Sequence, residues 1–177
     1  MSAKYAEFRD KMTRELIDFV QNQASALSVA DIRRLIRDLP VLRERFATIP
    51  LQTYPYLLDH LEFLLLLVKE QVTEQNLCST RHIVSEAAFA LLYFERTSDL
   101  IPDSIPGMGL LDDAMIVSLV LRRHEAAFKQ SSHAYKLRWP LPVFDIDQLL
   151  SVVSPLRLDS YYSSRKTVVG AQLEQPR

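Results

Sequence analysis

Glycine placement constrains this chain more than any other feature. Only three glycines occur in 177 residues, and two of them, Gly107 and Gly109, share one stretch with Pro102 and Pro106. Tight hairpins and phosphate-cradling loops both draw on glycine, which reaches positive φ without steric cost. So sparing a supply disfavours a nucleotide-binding α/β fold, and no hairpin dipeptide is present. What remains is helix, joined by turns that proline marks.

The apolar periodicity agrees. Tyr5, Phe8, Met12, Leu16, Phe19 and Val20 recur at spacings of three and four, with Lys4, Arg9, Lys11 and Arg14 largely off that stripe. Ser28 and Asp31 form a variant of the capping box ahead of a second stripe, Ile32, Leu35, Ile36 and Leu39. Pro40 ends or kinks that helix, because it lacks an N–H and clashes with the preceding turn. A third helix is expected from about Pro55 to Glu74, and its almost wholly apolar middle makes it a candidate for the centre of a bundle. A fourth is expected from near Thr80 through Phe94, and a fifth from Leu110 to about Lys129. Asp145 and Gln148 repeat the capping-box pattern before a short helix that Pro155 stops. The expected fold is all-α: a single-domain helical bundle of about five to seven helices over residues 1–159, with residues 160–177 as a surface arm or flexible tail.

Charge and size narrow the function classes. A chain of this length removes roughly 70% of its extended surface from water, enough for a core without disulfides or metal. Lys and Arg number 21 against 22 Asp and Glu, a balance that does not favour electrostatic capture of nucleic acid. Arg33, Arg34, Arg37, Arg43 and Arg45 form a basic group, but Asp31, Asp38 and Glu44 interrupt it, so a solvated helix face is the plainer role. The single Cys78 makes no internal disulfide, and a reducing compartment is the default. Met1 to Arg14 carries charge throughout and lacks the apolar centre of a signal peptide, so a cytoplasmic location is expected. The apolar run Phe63 to Val68 covers about 9 Å as helix against the roughly 30 Å of a bilayer core, and reads as buried helix. His60, His82, His124 and His133 show no metal-binding spacing, and no nucleophile elbow occurs.

The stretch between the fourth and fifth helices stands apart. Ile101 and Ile105 precede prolines and are pushed toward extended geometry, while Gly107 and Gly109 permit a sharp reversal. From Thr97 to Leu121 there are four carboxylates, Asp99, Asp103, Asp112 and Asp113, and no Lys or Arg. The structural account makes them turn caps and complements to a helix dipole. The rival account is a divalent-cation site, since hard cations take carboxylate and carbonyl oxygens. Beyond that cation no cofactor is suggested, and catalytic residues are not identifiable.

Residues 90–122 carry a resemblance. Ala90-Leu91-Leu92-Tyr93-Phe94, then Asp99-Leu100-Ile101-Pro102-Asp103, Ile105-Pro106-Gly107, Gly109 and Leu111-Asp112-Asp113-Ala114 resemble the signature of the YkvA-like family, small bacterial helical domains of unknown function. The resemblance implies a helical domain, sometimes membrane-associated, and names no activity. The expected role is a non-enzymatic helical module working through a protein partner or peripheral membrane contacts. A metal-binding protein or metal-dependent enzyme built on the four aspartates is the alternative.

Overall fold

The computed structural model describes residues 3–73, 77–96, 109–140, 142–145 and 148–149. Among them are seven helices and no strand: α1 Ala3–Ser25, α2 Val29–Arg37, α3 Leu39–Phe46, α4 Leu57–Thr73, α5 Leu77–Glu95, α6 Leu111–Arg123 and α7 Glu125–Ala134. The protein is a helical bundle, as the periodicity predicts. Residues 160–177, expected as the tail, lie outside the described residues.

Local chemistry sets several boundaries where the sequence places them. Ser28 Oγ accepts from the Asp31 N–H at 3.2 Å, and Asp31 Oδ2 accepts from the Ser28 N–H at 2.9 Å, a reciprocal capping box. Hydrogen bonds from Ser28 hold the Asp31 carboxyl below its ordinary range. Asp145 and Gln148 make the same exchange, both bonds at 2.8 Å. Pro40 falls in the first turn of α3, where its missing N–H has no helical partner to lose, and the chain bends at Asp38. Three boundaries differ from expectation, and the first is α5, which opens at Leu77 and not near Thr80. The third helix opens at Leu57, because Pro50 and Pro55 hold a run of turns in which Tyr54 N–H reaches Pro50 O. The predicted fifth helix divides at His124, whose φ of −110° and ψ of 20° leave the helical range between α6 and α7.

The core lies between α4, α5 and α6, with α1 across the outer side of α5. Every residue from Val84 to Phe94 in α5 is buried, so α4 shares the centre with α5. Ala87, Ala88 and Ala90 let neighbouring helices approach closely, while Phe89 and Tyr93 turn their edges to Phe19 of α1 at 5.7 and 6.1 Å. Leu64, Leu65, Leu67 and Val68 of α4 are each at most 1% exposed. No helix among the described residues is long and apolar enough to cross a membrane.

After α7 the chain reverses on Lys136, at φ 56°. Leu137 N–H bonds Ser132 O at 2.8 Å and Lys136 N–H bonds His133 O at 3.4 Å, the pair of bonds that defines a Schellman end. The following residues then run back along α4 as a strap. Tyr135 meets Gln71 through a 3.0 Å hydrogen bond, and Trp139 meets Phe63 edge-on at 5.3 Å. His60 Nε2 lies 2.9 Å from Pro142 O, and Phe144 packs on Tyr56 at 5.2 Å.

Candidate functional site

The sequence directs attention to the junction of α5 and α6. Of its signature residues, Asp99, Ile101, Pro102, Asp103, Ile105, Pro106 and Gly107 lie outside the described residues. Gly109 is buried immediately before α6, and Asp112 and Asp113 occupy the first helical turn, where free N–H groups and the dipole favour negative charge. Both carboxylates are deeply buried, at 4% and 2% exposure. Tyr93 donates its hydroxyl to Asp112 Oδ2 at 2.7 Å, which ties the last turns of α5 to the first turn of α6. Among the described residues no group of three or more His, Cys, Asp or Glu is placed to hold a metal ion.

The α5 terminus has a second clamp. Arg45 of α3 donates to the carbonyls of Glu95 and Arg96, and its guanidinium lies 5.5 Å from the centre of the Phe94 ring. A cation there complements the negative end of the helix. The basic group on α2 and α3 therefore divides. Arg33, Arg34, Arg37 and Arg43 are exposed, with Arg43 3.3 Å from Glu62, whereas Arg45 is half-buried against α5.

Sequence reasoning passed over Glu86. It is 4% exposed in α5 and accepts from His124 Nε2 at 2.8 Å, with Arg123 Nε 3.8 Å away. The ring of His124 also faces His82 at 6.0 Å and Phe128 at 5.7 Å. The available signal was a lone carboxylate ahead of the unbroken apolar run from Ala87 to Phe94. His60 is satisfied by Pro142, and His133 is exposed.

An open groove of about 760 Å³ lies between α1 and α6. Helical spacing builds it: Asp10, Thr13, Arg14 and Ile17 repeat at three and four along α1, and Leu119, Arg122 and Arg123 face them from α6. Ile17, Leu119 and Phe144 supply an apolar floor, and Arg9, Arg14, Arg122 and Arg123 a cationic rim. Two carboxylates also line it, and each has a local partner. Asp10 accepts from Arg9 at 2.8 Å, and Asp145 caps Gln148. Arg123 is turned toward Glu86, with Nε 3.8 Å from its carboxylate. Arg14 and Arg122 are exposed at the rim.

No curated protein and no solved structure matches the chain. One family model does match, over residues 85–119, from Ser85 in α5 to Leu119 in α6, and that family is described as a protein of unknown function, DUF1232.

Proposed function

We infer that this protein is a non-enzymatic helical module that works by contact, and that its contact surface is the groove between α1 and α6. The observation that carries this is the arginine rim over an apolar floor, with Arg14 and Arg122 exposed to solvent. An exposed cationic rim recruits anionic groups, while an apolar floor rewards burial of an attached apolar surface. Asp112, by contrast, is drawn into the interior by Tyr93, which supports a structural role for that end of the signature. The YkvA-like assignment is supported by Asp99-Leu100-Ile101-Pro102-Asp103 and Leu111-Asp112-Asp113, both inside the matched residues 85–119. With that assignment goes a bacterial source, and the lone Cys78 suits a reading in the cytoplasm, on a protein partner or at the membrane surface.

Photocrosslinking in living cells tests the contact surface. A photoreactive residue at position 122 is compared with one at exposed Lys69 on α4, far along the chain from the groove. Adducts specific to position 122 that disappear with Arg14→Glu are expected. Equal adducts at both positions, or none at 122, overturn the assignment.

A further inference from the structure

A second cavity adjoins the groove and gives it chemical direction. It measures about 260 Å³ and lies beneath the strap, walled by Tyr54, Tyr56, Leu57, Ala114 and Leu149 with His60 at one side. Ser118 and Phe144 line both cavities, so the two share a wall. The walls differ in character. No Lys, Arg, Asp or Glu lines the inner cavity, whereas four arginines line the outer one. Burial also lowers the pKa of His60, which favours its neutral form. Cation outside and apolar pocket inside describe a receptor for a molecule with the same division.

We propose that the groove and the inner cavity together bind an amphiphilic anion, an acyl chain bearing a carboxylate or phosphate head. The head lies against Arg14 and Arg122, and the chain follows the Ile17–Leu119 floor past Phe144 toward Tyr54 and Leu149. Guanidinium groups pair with carboxylate and phosphate oxygens through paired N–H donors. The outer volume falls within the usual range of small-molecule sites, and apolar walls with a few placed polar groups are their usual lining. Residues 150–177 are a poorer occupant for the rim, because Arg157, Arg165, Lys166 and Arg177 outnumber Asp159 and Glu174. An acidic peptide finds partners at the rim but none for its charge farther in. The inference rests on the contact reading above and specifies its ligand.

Calorimetric titration of the full chain tests it, with dodecanoate and dodecyl phosphate below their micelle concentrations, octanoate for chain length and dodecanol for the head. Each buried methylene should raise affinity by about fourfold, so dodecanoate should bind more than tenfold tighter than octanoate. Dodecanol should bind at least tenfold weaker than dodecanoate. Arg14→Glu with Arg122→Glu should remove that preference, while the helical signal and melting midpoint stay those of the parent. Arg14→Gln with Arg122→Gln is the milder pair should the reversal fail to fold. Thr53→Trp, which fills the inner cavity from its half-buried rim, should flatten the dependence on chain length. Vesicles of phosphatidylglycerol, against phosphatidylcholine alone, distinguish a membrane lipid from a free amphiphile. Binding of both the free anions and the anionic vesicles assigns a membrane source, and binding of the free anions alone assigns a soluble one. No binding, equal binding of dodecanol and dodecanoate, a flat length series, or binding to vesicles without the free anions overturns the proposal. Position-specific crosslinks with failed titrations would reject the ligand and keep the contact surface. Loss of both rejects the groove.

Discussion

Tyr93 and Asp112 link the two signature helices through a buried hydrogen bond of 2.7 Å, hydroxyl to carboxylate, across a gap of 19 positions in the chain. Burial raises the cost of losing such a bond, because the partner left behind is out of reach of water. Tyr93→Phe removes the donor while keeping the ring against Phe19 and Phe89. The expected loss is about 1–3 kcal/mol in urea unfolding. In an Asp112→Asn background the same substitution should cost clearly less, and the double-mutant cycle measures the difference.

Lys136 marks a place where the local conformation opposes the residue. Its φ of 56° lies in the left-handed region, and a non-glycine residue there costs about 1–2 kcal/mol. Lys136→Gly relieves that cost but adds freedom to the unfolded chain, so a net gain of about 0.5–1 kcal/mol is expected. Chemical denaturation compares the two chains. A destabilised glycine variant would show that the lysine side chain contributes more than its backbone strain removes.

His60 gives the fold a pH dependence with a definite sign. Burial is the largest influence and lowers its pKa below 6.5, opposed in part by the bond to Pro142 O and by Asp59. The unfolded chain therefore takes up the proton first as pH falls. Its contribution to stability is present above about pH 6.5 and is lost as pH falls toward the depressed folded value. His60→Gln keeps an N–H donor for Pro142 but does not titrate. Melting midpoints between about pH 7.5 and 5.5 should decline more in the parent than in this variant. Parallel declines would assign the dependence to other groups.

Divalent cations separate the two accounts of the aspartates. Capping and dipole roles leave stability unchanged on addition of Mg²⁺, Mn²⁺ or Ca²⁺ after chelation, and this is the expected result. A shared cation would stabilise the folded state by mass action, about 2.7 kcal/mol at a hundredfold excess over its dissociation constant. A thermal melt reads the difference. A rise of several degrees that vanishes with Asp103→Asn or Asp112→Asn would establish a metal site.

The parts of this protein legible in its sequence are those settled within a few residues. Helical stripes follow from spacing, and the boxes at Ser28 and Asp31 and at Asp145 and Gln148 close over three positions, so neighbouring residue types suffice to specify them. Asp112 and Asp113 were readable as first-turn acids for the same reason, although their burial was not. Tertiary structure decided the rest. Lys136 gives no glycine signal for the turn that launches the strap, and the strap is fixed by bonds such as His60 to Pro142, 82 positions apart. Arg45 reads as one more surface arginine until α3 docks against the end of α5, 50 positions away. Glu86 finds its partner only because α6 stops at His124 beside it. The groove is likewise invisible to local pattern: Arg14 lies off the apolar stripe of α1 and Arg122 in the last turn of α6, and only the packing of α1 beside α6 makes them one rim. Periodicity states which face of a helix is apolar, but the identity of the neighbour comes from the burial of all faces at once.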